Sequence, residues 1–130
     1  VETSGELSLR LAELGADLLI ESLPGYLKGD IQPVVQDDTL ATYAPMLRKE
    51  HGILDFNRPA VELERQVRAF QPWPGLWTIV PTHKGEQRLK ILSCQIEKLA
   101  SGQRLVLKKV QLAGKEPCQF KQLKNLIKTD

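Results

Sequence analysis

The stretch Arg68-Ala69-Phe70-Gln71-Pro72-Trp73-Pro74-Gly75 divides the chain into a helical part and a strand-rich part. Each proline removes a backbone N–H and fixes φ, so a helix cannot continue through this corner. Gly75 then allows a sharp turn. We expect Trp73 to pack into the core where the two parts meet. Phe70, Pro72 and Pro74 are assigned structural roles beside it.

The first 29 residues predict one amphipathic helix. Four leucines recur at the spacing of a single helix face, namely Leu7, Leu11, Leu14 and Leu18. The helix is expected from residue 4 to about residue 23, with a disturbance at Pro24-Gly25 and an end at Gly29. A stripe this apolar needs another protein surface to pack against. If it stays exposed, it favours self-association of the chain.

A linker and a second helix are predicted between the first helix and the corner. Over residues 30–58, Pro33 and Pro45 oppose regular strand pairing and Asp37-Asp38 favours a turn, which is typical of an extended connection. Residues 59–70 have helical apolar spacing, and Pro59 suits the first turn of a helix. Glu64 and Arg68 are four residues apart, so they are expected to form an ion pair on the surface of this helix.

The chain beyond the corner predicts an antiparallel sheet. Residues 76–80 read as a strand that Pro81 ends, and two further strands are expected over residues 88–97 and 104–110. Pro117 is expected to start a final helix. The whole pattern predicts an α+β fold, in which helices flank a small antiparallel sheet.

Charge is divided unequally along the chain, although its net value is only +2. Residues 1–64 contain five basic and twelve acidic side chains, whereas residues 65–130 contain thirteen basic and four acidic ones. A basic half is typical of a protein that binds a polyanion, and a solvated surface is the alternative. The candidate phosphate contacts are the basic residues of the densest clusters, Arg88, Lys90, Lys108, Lys109, Lys115, Lys121 and Lys124.

The residue types give no catalytic or metal site. The two histidines, His51 and His83, lie in separate predicted loops, and Cys94 and Cys118 do not form a Cys-x-x-Cys pair. Such cysteines are typical of a protein from a reducing compartment. No apolar run is long enough to span a membrane. We therefore expect no metal, no membrane insertion and a cytoplasmic location.

Short motifs follow one another along nearly the whole chain: Thr3-Ser4-Gly5-Glu6-Leu7, Leu11-Ala12-Glu13-Leu14-Gly15-Ala16, Gln36-Asp37-Asp38, Ala41-Thr42-Tyr43-Ala44-Pro45, Lys49-Glu50, Leu54-Asp55-Phe56, Arg65, Arg68-Ala69-Phe70, Pro72-Trp73-Pro74-Gly75 and Gln111-Leu112-Ala113-Gly114-Lys115. In this order and at this spacing, they resemble the linker and carboxy-terminal domain of the methionyl-tRNA formyltransferases. The Ala-Thr-Tyr-Ala-Pro and Phe-x-Pro-Trp-Pro blocks together are the most specific part of this resemblance.

The resemblance implies a domain organisation. Residues 1–29 would be a remnant of the formyltransferase catalytic domain, residues 30–58 a linker, and residues 59–130 a tRNA-binding domain. That last domain would be a small OB-like, Greek-key barrel. The connection between Glu97 and Gly102 is shorter than the family resemblance implies, so either the barrel is abbreviated or a stretch of chain is missing from this sequence.

The resemblance also implies a function. The chain would dock the acceptor arm of initiator methionyl-tRNA, while a catalytic domain outside this sequence transfers the formyl group from 10-formyltetrahydrofolate. No cofactor is expected in this chain, which should be inactive alone. The alternatives are the corresponding domain of another folate-dependent formyltransferase, such as one acting on a nucleotide sugar, or a purely structural domain. We expect a monomer unless the leucine-rich helix self-associates.

Overall fold

A computed structural model describes residues 2–100 and 102–123 of the chain. The chain divides into two compact units. One spans Gly5–Met46, and the other contains residues 2–4 together with the described residues from Leu47 onward. The domain boundaries predicted after residues 29 and 58 stay a prediction.

The Gly5–Met46 unit is dominated by helix α1, Ser4–Lys28. The prediction that Pro24-Gly25 disturbs the helix is wrong, because α1 continues through Pro24 to Lys28. A proline removes only one N–H donor, and the helical bonds on both sides of it keep the helix intact. Gly29 ends the helix as predicted, with a φ of +84° that favours glycine. The rest of this unit is irregular apart from one 3-10 turn, Asp38–Leu40.

Helix α2, Ala60–Ala69, confirms the second predicted helix. Pro59 precedes its first residue, and Leu63 and Val67 are buried on its inner face. The expected ion pair is present, with Arg68 Nε 2.7 Å from Glu64 Oε1.

The corner after α2 closes as a loop, in which the Gly75 N–H donates to the Phe70 carbonyl at 2.7 Å. The Gln71–Pro72 and Trp73–Pro74 peptide bonds are both cis. Phe70 packs against the core, and Pro74 is buried. The packing expected for Trp73 is wrong, because 51% of its surface is exposed, and Pro72 is exposed as well. The closed loop places Pro74 and Gly75 on its inner side and leaves Trp73 on its outer side.

Four antiparallel strands follow the corner in chain order: β1 Leu76–Thr82, β2 Gly85–Leu99, β3 Gly102–Leu112 and β4 Cys118–Gln119. The predicted α+β class is confirmed. Over the described residues the four strands lie in chain order as a meander, and the OB-like, Greek-key barrel stays a prediction. Pro81 does not end β1, since it still pairs with Glu86. β1 is an edge strand, so the N–H that Pro81 lacks is not needed for pairing with β2.

A double bulge interrupts the β2–β3 hairpin. The register runs through Ile91↔Val110, then Ser93↔Lys109, then Cys94↔Leu107, so Leu92 and Lys108 have no partner. The β2 residues that pack in or against the core are Leu89 and Ile91 before the bulge and Cys94 after it. The apolar alternation therefore slips by one residue, and the bulge keeps the apolar side chains on one face of the sheet.

The core has two parts on one side of the sheet. The first lies under α2 and contains Leu54, Leu63, Val67, Leu76 and Ile91. The second contains Leu89, Val110, Leu112 and Leu123, and Leu107 packs against both parts.

The prediction of a helix that starts at Pro117 is wrong for residues 118–123. Cys118 and Gln119 pair with Val110 and Lys109 as β4, so only a 3-10 turn follows, Phe120–Leu123. The remainder of that predicted helix lies outside the described residues.

Candidate nucleic-acid interface

The face of the sheet opposite the core, called the outer face below, carries a cluster of cationic and aromatic side chains. Register places Trp77 beside Lys90, and Lys90 beside Gln111. Arg88 lies two residues from Lys90 on β2 and therefore shares its face. Because Leu76, Leu89, Ile91 and Val110 occupy the alternate positions and are buried, these polar residues point away from the core.

Trp77 is fixed in this surface by two contacts. Its indole Nε1–H donates to the Lys49 carbonyl at 3.3 Å. The guanidinium of Arg88 lies over its ring, with Cζ 4.2 Å from the ring centroid. This is cation–π geometry, which holds the guanidinium in place while leaving its N–H groups able to donate.

Lys90 and Lys109 complete the cationic part of the outer face. The Lys90 stem lies beside Gly75, since a Cβ added to Gly75 would be 3.5 Å from Lys90 Cε. Lys109 follows the bulge on β3, and its backbone N–H donates to Ser93 Oγ at 3.2 Å. Over residues 2–100 and 102–123, neither lysine nor Arg88 forms an ion pair. Their charges are therefore not neutralised by any acidic side chain within those two ranges.

The other predicted phosphate contacts lie elsewhere. Lys108, at the bulge, and Lys121 line a cavity of about 320 Å³ beside Phe120. Lys115 lies in the turn after β3 and lines a second cavity, of about 210 Å³, with His83 and Lys84. Lys124 lies outside the described residues. The structure thus groups Arg88, Lys90 and Lys109 and separates the rest.

Sequence reasoning missed the contribution of Trp77. It lies in a predicted strand directly after the corner, and strict alternation from the buried Leu76 would have placed it on the outer face. Lys84 was missed because it stands alone in a turn, away from the clusters of lysines. Neither residue belongs to a motif that would have indicated it.

Cys94 is not an activated nucleophile. The pKa of its thiol is raised from 9.0 to about 11, chiefly by burial and further by the nearby Glu64 carboxylate, while Arg68 acts in the opposite direction. A thiol with a raised pKa stays protonated at neutral pH and reacts slowly. Over the described part of the chain, no group of three or more His, Cys, Asp or Glu residues could hold a metal ion. No described helix is both long and apolar enough to cross a membrane.

Comparison with known proteins gives consistent matches. Residues 46–105 match the family described as formyl transferase, C-terminal domain. The methionyl-tRNA formyltransferase of Myxococcus xanthus (strain DK1622) is 46% identical over 92 residues, which cover 67% of this chain and 30% of that protein. The methionyl-tRNA formyltransferase of Pseudomonas fluorescens (strain SBW25) is 37% identical over 142 residues, which cover 95% of this chain and 44% of that protein.

The chain thus spans less than half the length of these two relatives. The second alignment, of 142 positions, is longer than this chain of 130 residues. That relative therefore contains segments that have no counterpart here.

Proposed function

This chain carries the formyl transferase C-terminal domain over residues 46–105, and we propose that this domain docks tRNA through the outer face of its sheet. The tRNA would be initiator methionyl-tRNA, held by its acceptor arm. A catalytic domain outside the described sequence would transfer the formyl group from 10-formyltetrahydrofolate to the methionyl amino group. The reaction would take place in the cytoplasm, where tRNA is used.

The observation that carries the proposal is the grouping of Arg88, Lys90 and Lys109 with Trp77 on one face. These cations have no acidic partner among the described residues, so binding a phosphate would not require breaking an ion pair. Cationic side chains neutralise backbone phosphates and release condensed counterions, which gives affinity without base recognition. The Trp77 indole contributes by holding the Arg88 guanidinium in place on this face.

The names of the relatives favour tRNA over a nucleotide sugar as the partner. Both relatives described above are methionyl-tRNA formyltransferases. No contact on the outer face favours a nucleotide sugar. The formyl donor and the catalytic groups belong, in this proposal, to the separate catalytic domain.

A salt titration of tRNA binding tests the proposal. Affinity should fall steeply with salt, and the slope of log K against log salt should decrease by about one for each phosphate contact removed. We expect a decrease of about two for the Arg88→Gln/Lys90→Gln variant and about one for Lys109→Gln. Lys98→Gln removes the same charge at the far end of β2 and serves as the matched control.

Lys108→Ala/Lys109→Ala separates the outer face from the cavity beside Phe120. If only Lys109 contacts phosphate, the salt slope of the double variant should equal that of Lys109→Gln. Binding that is absent at low salt, or slopes that do not differ from wild type in any outer-face variant, would show that this face is only a solvated surface.

A further inference from the structure

A second cationic site lies at one end of the sheet, in a cavity of about 210 Å³ that we call the end pocket. It is lined by Thr82, His83, Lys84, Gln87, Leu112, Ala113 and Lys115. The last β2–β3 pair at this end is Leu89↔Leu112, so the β1–β2 hairpin extends beyond the end of β3. The pocket lies where the β1–β2 hairpin extends past the end of β3, between that hairpin and the turn that follows β3. We call this offset the step between the two turns.

The end pocket opens on the side of the sheet opposite the outer face. Gln87 alternates with the buried Leu89 on β2, and Thr82 pairs with Gly85 in the same alternation. Arg88, by contrast, points to the outer face. The end pocket is therefore a separate site and not an extension of the cluster around Trp77.

Hydrogen bonds fix both turns that form the pocket. In the first turn, the buried Thr82 hydroxyl donates to the Gly85 carbonyl at 2.7 Å and accepts from the Lys84 N–H at 3.2 Å. Gly85 has a φ of +97°, which suits a tight hairpin turn. This turn holds the backbones of His83 and Lys84 in one arrangement.

The second turn is held in a similar way. The Lys115 N–H donates to the Leu112 carbonyl at 3.0 Å, and the Gln111 amide Nε2 donates to the Lys115 carbonyl at 3.0 Å. The Ala113 N–H donates to the Arg88 carbonyl at 2.9 Å and ties this turn to β2. The positions from which the cationic side chains project are thus set before any ligand binds, which lowers the entropic cost of binding.

The residues that line the pocket include two lysines and one histidine, and none of them is Asp or Glu. Lys84 and Lys115 each supply an ammonium, His83 an imidazole, and Gln87 a side-chain amide. Glu86 and Glu116 are neighbours in sequence, but neither lines the pocket. Two ammonium groups are matched best by inorganic phosphate or a phosphate monoester, which carry nearly two negative charges at neutral pH, and less well by a backbone phosphodiester or a carboxylate, which carry one.

We infer that the end pocket binds a phosphate group, held by Lys84 and Lys115 and contacted by His83. Its source is either free phosphate or a phosphate of a nucleic acid. The inference does not depend on tRNA docking at the outer face, because it involves other residues on the other side of the sheet.

Proton NMR of the imidazole signals tests the inference, because the chain contains only two histidines. His51 lies in another segment, where its Nδ1 accepts from the Arg48 N–H at 3.2 Å, and it serves as an internal control. Titration with inorganic phosphate at constant ionic strength should shift the His83 signals saturably and leave those of His51 in place. Acetate should shift them less at the same concentration. His51→Asn assigns the two sets of signals.

Variants identify the groups responsible. Lys84→Gln/Lys115→Gln should weaken phosphate binding at least about tenfold, as expected from losing two charge-assisted contacts. Lys98→Gln, at the opposite end of β2, should bind as wild type. The absence of a saturable His83 shift, an equal shift of both histidines, or unchanged binding in the double variant would each overturn the inference.

RNA oligonucleotides with and without a 5′-phosphate distinguish the sources. A His83 shift only with the phosphorylated form indicates a terminal phosphate, a shift with both indicates a backbone phosphate, and a shift with inorganic phosphate alone indicates free phosphate. The Arg88→Gln/Lys90→Gln variant separates the two proposals. Suppose that this variant binds tRNA as wild type does and that its His83 signals still shift with phosphate. The proposal of tRNA docking on the outer face is then refuted, whereas the proposal of a phosphate site in the end pocket is supported.

Discussion

Arg88 lies over the indole ring of Trp77, with its Cζ atom 4.2 Å from the ring centroid. The two residues belong to neighbouring strands, β1 and β2, so the sheet itself brings them together. The indole restricts the guanidinium to one position on the outer face. The cation is therefore arranged for an anionic ligand before that ligand arrives.

This arrangement predicts different effects for the two partners. Arg88→Gln should decrease the salt slope of tRNA binding by about one, whereas Arg88→Lys should keep the slope. Trp77→Leu should also keep it, because all cations remain, but should weaken binding by about 0.5–1.5 kcal/mol, because the Arg88 side chain must then be ordered when the ligand binds. Binding isotherms at several salt concentrations measure both quantities. Equal slopes for wild type and Arg88→Gln would contradict the assignment of Arg88.

The first part of the core predicts large effects of truncation. Leu76 and Ile91 are almost fully buried against α2, so Leu76→Ala or Ile91→Ala should lower the free energy of unfolding by about 2–5 kcal/mol. Leu99→Ala, at the exposed end of β2, should change it by less than about 0.5 kcal/mol. Urea unfolding followed by tryptophan fluorescence measures the change. A similar loss for Leu99→Ala would contradict this description of the core.

Gly52 approaches the corner too closely for any side chain. A Cβ at this position would lie 2.2 Å from the Gly75 carbonyl oxygen. Gly52→Ala should therefore lower the free energy of unfolding by about 1–3 kcal/mol, because the backbone must shift to relieve the clash.

Gly15→Ala is the matched control for Gly52→Ala. A Cβ there meets nothing within 4 Å, and the position is inside helix α1. This variant should increase helical content in circular dichroism, since alanine favours a helix by about 1 kcal/mol over glycine. The fluorescence midpoint should stay unchanged, because both tryptophans lie outside the Gly5–Met46 unit. An unchanged midpoint for Gly52→Ala would refute the close approach.

The raised pKa of Cys94 predicts slow alkylation and a pH-dependent stability. With a folded-state pKa of about 11 against 9.0 for a free thiol, Cys94 stays protonated at about pH 8. The stability that this group contributes is fully present below 9.0 and is lost as pH rises towards about 11, because the unfolded thiol ionises first.

Mass spectrometry of the Cys118→Ser variant with iodoacetamide measures the reactivity of Cys94 alone. The rate should rise steeply when the chain is unfolded in urea. The Cys94→Ser variant should lose this part of the pH dependence of stability. Rapid alkylation of the folded chain at about pH 8 would contradict burial of the thiol.

Local patterns predicted most of the elements. The helical spacing before the corner located α2, and alternation located the main strands of the sheet. The predictions failed where tertiary contacts decide the outcome. Trp73 was expected inside because a large apolar ring favours burial, but loop closure between Phe70 and Gly75 directs it outward. Pro81 was expected to end β1, but an edge position tolerates it.

The outer face could be predicted only in part. Arg88, Lys90 and Lys109 were candidates because they are basic, and so were Lys108 and Lys115, which lie elsewhere. Separating them requires the strand register and the position of the bulge, both of which depend on pairing between distant segments. The end pocket could not be predicted, because His83 and Lys115 are brought together only by the step between two turns.

The double bulge at Leu92 and Lys108 also bears on how this hairpin can change in evolution. Each extra residue absorbs the slip within its own strand, so removing Leu92 restores regular alternation along β2 and removing Lys108 restores it along β3, with the same residues inside. A single bulge left in the other strand still keeps the same residues paired. The two positions can therefore be gained or lost one at a time, and each intermediate hairpin keeps its apolar face.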